Sequence, residues 1–246
     1  MIRLEVINTH RAKRFVADHH YAVDSPPTVK LCHGLIVGGC EVGVALWGYG
    51  VRPLHTIKRL FPSLGTNDYW ELCRFCVLDE MPANTETQFL RLCIKSIKTL
   101  FPQIKVILSW ADGMRGKPGY IYQAANFLYG GYIKSEFYTD AAGQVIHPRL
   151  LITRYGTRTK AKQAELGLTK YWGRQFRYIT FLCSHKERKR LLAESPFIWG
   201  QNYPKAADLQ FEKQAGEGSR ESCQLPMLKG SGQFRHPAPL FEGYNE

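Results

Sequence analysis

The sequence predicts an α/β domain with a mixed, largely antiparallel sheet flanked by helices, followed by a basic C-terminal extension. Several short segments alternate apolar and polar residues, which is typical of half-buried strands. Apolar residues recur at helical spacing between some of these segments. Strands and helices do not alternate regularly, and this argues against a doubly wound parallel sheet. We expect a catalytic domain over residues 1–156, a basic extension packed on it over 157–205, and a disordered tail over 206–246.

The first part of the chain is predicted to contain four strands and two helices. The alternating segments are residues 2–7, 30–37, 41–49 and 70–78. The helical segments are residues 10–19, which Asn8 or Thr9 can cap, and residues 85–100. Gly38-Gly39 predicts a tight hairpin turn between the second and third strands. Residues 52–68 contain two prolines and a glycine, and we expect them to form an irregular insertion.

The second part begins with a strand, a loop and a helix. An apolar run at 106–108 leads into a glycine-containing loop, and a helix is expected over 120–129. The later predicted elements are strands at 132–138 and 145–154, a helix at 160–166, a strand at 177–182 and a helix at 186–193. After residue 205 the chain is rich in Gly, Ser, Gln and Pro with few apolar clusters, which indicates disorder.

Composition limits the class of protein. The chain has 246 residues, of which 44% are apolar, enough for a substantial core. It contains no apolar run of about 18 residues and no apolar signal core near its N-terminus, so we expect neither a membrane span nor export. Seven cysteines without zinc-ligand spacing are best explained as reduced thiols in a cytosol.

Positive charge is concentrated in the third quarter of the sequence. The net charge is +12, and residues 151–205 carry 12 of the 33 Lys and Arg residues but 3 of the 21 acidic ones. Aromatic residues are interleaved with these cations, and this pattern is typical of a nucleic-acid-binding face. A solvated basic helix is the alternative. The candidate phosphate contacts are Arg154, Arg158, Lys160, Lys170, Arg174, Arg177, Lys186, Arg188, Lys189 and Arg190.

Polar side chains follow the apolar strand at 106–108. Ser109 and Asp112 lie at its end, and Tyr120 and Tyr122 begin the next predicted helix. Ligands collect beyond the carboxyl ends of strands in open α/β sheets, because loop side chains and a helix N-terminus converge there. The sequence therefore predicts a site at this edge. The alternative is an ordinary connection in which Asp112 binds only loop amides.

Arg74 and His20 are further candidates. Alternation over 70–78 places Arg74 among apolar side chains, where a charge must be paired or must meet an anion. Glu71 falls on the opposite face in this pattern, so it is not an obvious partner, although a structural ion pair remains an alternative. His20 follows a predicted helix, where it either caps the helix C-terminus or has a functional role.

Four motifs together resemble a known family. They are HHY at 19–21, ELCR at 71–74, SWAD at 109–112 and GYIYQAANFLYGG at 119–131. In this order and spacing they resemble the Mom DNA-modification proteins of Mu-like phages, and the element order is similar to the GNAT acetyltransferase fold. The resemblance covers residues 10–205. It implies an enzyme that converts adenine in phage DNA to an N6-carbamoylmethyl derivative in the host bacterial cytoplasm, shielding the DNA from restriction.

The resemblance also implies site residues, namely His20, Tyr21, Arg74, Ser109, Asp112 and Tyr122. In this chemistry Asp112 would accept a proton from the adenine amine, Tyr122 would donate to a leaving group, and Arg74 would hold an anion. Double-stranded or transiently unpaired DNA is the expected partner, because a paired adenine must be flipped out, and Tyr21 would stack on it.

The cofactor is left open by the sequence. GNAT proteins cradle the pyrophosphate of acetyl-CoA in a glycine-rich loop, whereas the corresponding segment here, LDEMPANTETQ at 78–88, has no glycine. Acetyl-CoA or another group donor would therefore be held differently. A His-Tyr pair also makes iron a candidate ligand of His20 and Tyr21, although no spacing specifies a metal.

Two other classes of protein compete with this interpretation. A GNAT-type acyltransferase acting on a small molecule or protein would leave the basic aromatic segment unexplained. A non-enzymatic DNA-binding protein would explain the charge, but not the grouping of Arg74, Asp112 and Tyr122. Oligomeric state is not indicated by any feature of the sequence.

Overall fold

The computed structural model describes residues 2–20, 28–143, 145–146, 148–216 and 219–224, except for the side chains of Arg149 and Leu150. The strands are β1 (Ile2–Val6), β2 (Val29–Val37), β3 (Cys40–Gly48), β4 (Tyr69–Val77), β5 (Val106–Asp112), β6 (Leu128–Thr139), β7 (Val145–Ile146), β8 (Thr169–Phe181), β9 (Phe211–Gln214) and β10 (Arg220–Cys223). The helices are α1 (Thr9–His19), α2 (Pro53–Leu60), α3 (Thr85–Leu100), α4 (Tyr120–Ala124), α5 (Pro148–Tyr155), α6 (Lys160–Glu165) and α7 (His185–Glu194).

The strands form one open sheet in the order β1-β2-β3-β4-β5-β8-β6-β7, and β9 and β10 extend it from β8. Among the described strand pairs, only β4 and β5 run parallel; the others are antiparallel. The predicted fold class, a mixed and largely antiparallel sheet flanked by helices, is confirmed. No helix of the described ranges is both long and apolar enough to cross a membrane.

Helices cover both faces of the sheet. On one face, here called the α3 face, α3 and α4 pack on the largest core, which includes Trp47, Trp70 and Tyr178. The opposite face, here called the α1 face, has two smaller cores. One lies under α1 and the other lies under α2 and α7. This division determines which site residues can meet, because neighbouring residues of a strand point to opposite faces.

Most predicted elements are present, and three predictions about them were wrong. Residues 52–68 contain α2 because Pro53 occupies the first helical turn, where proline is tolerated, and Ile57 and Leu60 are buried. Residues 148–155 form α5 rather than a strand. The helix predicted over 120–129 ends at Ala124, since Asn126 has a positive φ of 60° and Leu128 already begins β6.

The basic segment 157–205 is part of the sheet rather than an extension packed on it. Its strand β8 lies between β5 and β6 and pairs with both. The expected boundary after residue 156 therefore does not separate two structural units. The physical reason is that β8 has thirteen residues and buries Phe176, Tyr178 and Ile179, so it supplies apolar side chains to the cores on both faces.

The first part of the expected tail is also structured. β9 pairs with β8 at Tyr171 and Trp172, and β10 pairs with β9. Phe211 of β9 is buried, and Lys134 of β6 forms an ion pair with Glu212. The expectation of disorder from residue 206 was therefore wrong for residues 206–216 and 219–224, because β9 fills the edge of β8 beyond the end of β5. Residues 225–246 lie outside the described residues.

Candidate active site

A gap opens in the sheet where β4 and β5 separate. The two strands pair only from Tyr69 to Glu71 on β4 and from Val106 to Leu108 on β5. Beyond these pairs β4 continues to Val77 and β5 to Asp112. Crevices at the carboxyl ends of parallel strands are common ligand sites. The predicted site residues Arg74, Ser109 and Asp112 all lie on the separated segments.

A β-bulge in β4 determines where Arg74 points. Leu72 pairs with Trp47 of β3, whereas Arg74 pairs with the next residue, Leu46, so Cys73 is an extra residue in the strand. Leu46 belongs to the core under α1, and residues that pair directly point to the same face. Arg74 therefore lies on the α1 face.

Glu71 lies on the same face as Arg74. It alternates with Trp70 and Leu72, which both belong to the α3-face core, and hence it points to the α1 face. The prediction that Glu71 and Arg74 occupy opposite faces was wrong, because simple alternation ignores the extra residue at Cys73. The two side chains interact electrostatically.

Glu71 has the electrostatics of a proton-exchanging group. Burial raises its pKa to about 7, against the opposing effects of a hydrogen bond from Trp110 and the charge of Arg74. The carboxylate also lies against Gly50, where a Cβ atom would come within 2.2 Å of it. A carboxyl group with a pKa near neutrality can accept a proton and release it again at physiological pH.

Asp112 occupies the end of β5 on the same face. Its Oδ1 atom accepts a hydrogen bond from the Met114 amide at 3.1 Å, which caps the 3-10 turn Gly113–Arg115. Burial raises the pKa of Asp112, and this is opposed by Arg115, the Met114 amide, Lys117 and Arg74. The amide-binding role considered from the sequence is therefore present, together with a cationic environment that such a role does not need.

Two glycines allow the loop after Asp112 to pass close to β8. A Cβ atom at Gly113 would lie 2.3 Å from the Arg174 carbonyl oxygen, and one at Gly119 would lie 2.6 Å from the Tyr178 ring. Gly119 also has a φ of +95°, which side chains other than glycine rarely adopt. The loop is thus fixed at both ends, and Arg115 and Lys117 on it are held near Asp112.

Ser109 and Tyr122 lie on the α3 face instead. Ser109 pairs with Tyr178 of β8, and the Tyr122 ring packs on Tyr178 with 5.2 Å between centroids. Burial raises the pKa of Tyr122 to about 12, with the Ser109 hydroxyl acting in the opposite direction. Over the described ranges, the buried Ser109 Oγ has no hydrogen-bond partner of normal geometry. Tyr122 is therefore a neutral phenol at neutral pH, suited to donating a hydrogen bond.

The structure brings some predicted residues together and separates others. Arg74 and Asp112 share the α1 face with Glu71, while Ser109 and Tyr122 lie on the α3 face. The strand gap lies between the two groups. His20 is the C-cap of α1, and the preceding carbonyl, of His19, accepts a hydrogen bond from Cys76 of β4. This contact places the end of α1 on the same face as Arg74, two residues further along β4.

The predicted iron ligands are only partly described. Tyr21 lies outside the described residues. No group of three or more His, Cys, Asp or Glu side chains in the described ranges is arranged to hold a metal ion.

The predicted phosphate contacts divide into two clusters at opposite ends of β8. Arg154, Arg158 and Lys160 precede this strand, and the cations of α7 follow it. β8 spans about 40 Å at ~3.3 Å per residue. The α7 cluster consists of Lys186, Arg188, Lys189 and Arg190, all exposed. Near the first cluster, Glu136 pairs with both Arg158 and Lys170.

Two central cations of the predicted set have structural partners. Arg174 donates hydrogen bonds to the Asp208 carbonyl and the Gln210 side chain and stacks on Tyr132. Arg177 is 4% exposed and donates to the Gly130 carbonyl at 2.9 Å. The prediction of a surface phosphate contact was wrong for Arg177, because its position in the middle of the sheet buries it.

Sequence reasoning missed three residues of this site. Alternation placed Glu71 on the face opposite Arg74, because a simple alternating pattern does not include the bulge at Cys73. Its place in ELCR beside Arg74 was nevertheless a usable signal. Arg115 and Lys117 were not considered, although both lie in the loop that was singled out. Together with Arg74 they place three cations around Asp112.

Fold and site together define an α/β protein with an open mixed sheet, in which two carboxylates and an arginine lie on one face of the gap where two parallel strands separate. The profile of the Mom protein family matches residues 1–205. The chain therefore belongs to the Mom protein family.

A curated relative and two solved structures illustrate these similarities. Methylcarbamoylase mom of Escherichia phage Mu is 32% identical over 209 residues, which is 83% of this chain and 84% of the relative. The ribosomal-protein-S18-alanine N-acetyltransferase from Escherichia coli is 9% identical with a TM-score of 0.41, covering 75% of this chain and 96% of that one. A Bacillus subtilis acetyltransferase in complex with CoA is 12% identical with a TM-score of 0.42, covering 74% and 100%.

Proposed function

We propose that this protein is a DNA-modifying transferase that converts adenine to an N6-carbamoylmethyl derivative and thereby protects phage DNA from host restriction. Its family and its 32% identity to methylcarbamoylase mom of phage Mu support this. The observation that carries the proposal is the grouping of Glu71, Arg74 and Asp112 on one face of the strand gap. This group combines two proton acceptors with one cation.

The reaction needs a proton acceptor. The adenine N6 lone pair is delocalised into the ring, so N6 becomes nucleophilic only as a proton is removed from it. A bond then forms between N6 and the donor carbon while the bond to the leaving group breaks. Glu71 is suited to take the N6 proton, because its pKa of about 7 lets it act as a base at neutral pH.

Asp112 and Arg74 have complementary roles in the proposal. One carboxylate oxygen of Asp112 accepts the hydrogen bond from the Met114 amide. In the proposal, the second oxygen accepts a hydrogen bond from the adenine amine and thereby orients the base. Arg74 stabilises negative charge on the donor or leaving group. Tyr122, a neutral phenol on the other side of the gap, donates a proton or hydrogen bond to the leaving group.

The donor in this proposal is a carrier in which the methylene carbon of the carbamoylmethyl group is bonded to a leaving group; acetyl-CoA by itself would transfer an acetyl group and would not give this product. The segment from β4 to α3 contains no glycine, so a pyrophosphate cradle built on glycine amides is not available there. Arg74, Arg115 and Lys117 are the cations that act electrostatically on Asp112, and we assign the donor's negative charge to them.

Mass spectrometry of nucleosides from bacteria expressing the protein tests this function. We expect a modified adenosine with the added mass of a carbamoylmethyl group. Asp112→Asn, Arg74→Ala and Tyr122→Phe should each reduce it by about 100-fold to 10,000-fold, since acid–base assistance is typically worth that much.

Asp140→Asn is the matched control. Asp140 also accepts a hydrogen bond from the amide two residues further on, that of Ala142 at 2.9 Å, but it lies in the β6–β7 turn. If Asp112 only caps its loop, both Asn variants should modify DNA normally. Absence of any modified adenosine with the unaltered protein would refute the proposed function itself.

A further inference from the structure

Ile198 is exposed to an unusual degree. Its side chain is 94% exposed, whereas the next most exposed large apolar residue of the described chain, Val6, is 60% exposed. Single exposed apolar residues are normal on protein surfaces. Exposure alone therefore does not indicate a function for Ile198. The loop that carries it and the residues around it have to be considered as well.

The backbone on both sides of Ile198 is fixed. Ser195 Oγ donates a hydrogen bond to the Leu60 carbonyl at 2.8 Å and accepts one from the Trp199 indole at 2.8 Å. Trp199 stacks on Phe61 with 5.8 Å between centroids and lies against Gly130, where a Cβ atom would come within 2.0 Å of its ring. Gly200 exchanges two backbone hydrogen bonds with Tyr129. Ile198 is thus presented to solvent by an ordered loop rather than by a loose one.

A chain of contacts links this loop to the candidate active site. Phe197, next to Ile198, packs on the Arg177 guanidinium at 4.2 Å. Arg177 in turn lies over the Trp110 ring at 5.3 Å, and the Trp110 indole donates a hydrogen bond to Glu71. Ile198 therefore lies on the α1 face, on the side where Glu71 and Asp112 are found.

The surroundings of Ile198 are cationic. Arg59 of α2 lies 5.9 Å from the Phe197 ring and close enough to Arg177 to help lower its pKa, after the larger effect of burial. The exposed cations of α7 precede the loop in the chain. An exposed apolar side chain with Arg59 beside the neighbouring Phe197 ring, on the face that carries the α7 cations, matches the chemistry of DNA, whose phosphates flank an apolar base stack.

We propose that Ile198 is a wedge that inserts between base pairs of DNA and helps to expel the target adenine toward the strand gap. This rests on the proposed function, because it assumes that the substrate is duplex DNA. A base inside a duplex must be unstacked before its exocyclic amine can react, and inserted apolar side chains are a known means of unstacking. In this proposal Arg59 and the α7 cations contact phosphates of the same DNA.

Modified adenosine in plasmid DNA gives the first test, with Ile198→Ala, Ile198→Leu and Ile2→Ala expressed at equal levels. Ile2 is 47% exposed on β1, at the far edge of the sheet, and is a control for the same change elsewhere. We expect Ile198→Ala to lower modification between about ten-fold and 100-fold, in line with the value of burying one isoleucine side chain. Ile198→Leu and Ile2→Ala should retain it. Normal modification by Ile198→Ala would refute the wedge but not the proposed function.

DNA topology gives a second test that needs no donor. Insertion between base pairs unwinds DNA, so a closed circular plasmid relaxed by a topoisomerase with saturating protein should acquire a changed linking number. The unaltered protein and Ile2→Ala should cause this shift, and Ile198→Ala should lose it at a concentration that still saturates the plasmid in a gel shift. Equal shifts would refute the wedge.

Two other outcomes are distinguishable. Failure of the unaltered protein to bind or modify DNA would refute the proposed function, and the wedge with it. Sedimentation that reveals a dimer lost in Ile198→Ala would instead assign this residue to contact between two copies of the chain, and would also refute the wedge.

Discussion

At the scale of single residues, Glu71 makes the sharpest prediction about pH. Its folded-state pKa is about 7, raised from 4.5 mainly by burial. If Glu71 is the base, DNA modification by cell-free protein should rise as pH increases through about 7. In Glu71→Gln this rise should be absent and the rate reduced by about 100-fold or more. Rates measured between pH 5.5 and 8.5 for both proteins would decide this.

The raised pKa of Glu71 also predicts that the stability of the protein depends on pH. This dependence can be measured without the DNA-modification reaction. Between pH 4.5 and 7 the folded protein keeps a proton on Glu71 that the unfolded chain has released. The free energy of unfolding should therefore fall as pH rises through this window. Glu71→Gln should flatten that part of the curve measured in urea. An unchanged curve would mean that Glu71 titrates normally, and its assignment as the base would fail.

Arg74, Ser109, Asp112 and Tyr122 were predicted as candidate site residues in two ways. The strand and helix pattern placed them at a sheet edge or among apolar side chains, and the motifs ELCR, SWAD and GYIYQAANFLYGG contain them. Alternation did not predict that Glu71 and Arg74 share a face, because the bulge at Cys73 depends on the register between β3 and β4. Alternation within one strand carries no information about an extra residue opposite a neighbouring strand.

At the scale of secondary-structure elements, the division of the basic segment changes what should bind DNA. The α7 cations and Arg59 belong to the face that carries Glu71, Asp112 and the Ile198 loop, whereas Arg154, Arg158 and Lys160 precede β8 at its other end. If the adenine enters the strand gap from the α1 face, as in the proposed function, we expect the first group to contribute more to DNA binding than the second.

Two triple variants test this division. Changing Lys186, Arg188 and Lys189 to Gln should weaken DNA binding and lower the slope of log affinity against log salt by up to about three, since each lost phosphate contact contributes about 0.9. Changing Arg154, Arg158 and Lys160 to Gln removes the same charge from the other cluster and should leave the slope nearly unchanged. Fluorescence anisotropy at several salt concentrations measures both. Equal losses would indicate that net charge matters rather than α7.

Elements were predicted well where their pattern was local. α1, α3 and α7 agree with the predicted helical spacing. Asn8 and Ser184 also cap α1 and α7 by accepting hydrogen bonds from first-turn amides, whereas the Asn84 side chain does not cap α3. β8 was only partly predicted, over 177–182, because its first half, KYWGRQF, mixes cations with aromatics and shows no simple alternation. That half pairs with β6 and β9, a tertiary effect that the local pattern does not contain.

At the scale of the whole molecule, β9 and β10 show how the segment after residue 205 joins the sheet. β5 and β9 pair with the same edge of β8. β5 pairs with residues 175–181 of that strand, and β9 pairs with Tyr171 and Trp172. β9 thus covers an edge that would otherwise expose unpaired backbone groups next to the end of Asp112's strand. Composition predicted disorder because this pairing needs only one buried side chain, Phe211.

Two truncations follow from this arrangement. A chain ending at residue 224 keeps every contact described above, so its thermal melting and DNA modification should match those of the full chain. A chain ending at residue 205 loses the burial of Phe211, the ion pair between Lys134 and Glu212, and the partners of Arg174. Burial of one phenylalanine is worth about 2 kcal/mol, so its melting temperature should fall by roughly 4–8 °C.

Phe211→Ala in the full-length chain is the control for this loss, because it removes the buried ring while keeping the strand. If β9 stabilises the sheet mainly through Phe211, this variant should reproduce most of the fall seen on ending the chain at residue 205. A chain ending at residue 205 that melts like the full chain would show that β9 and β10 contribute little to the stability of the sheet. A fall already present on ending the chain at residue 224 would instead show that residues 225–246 contribute to stability.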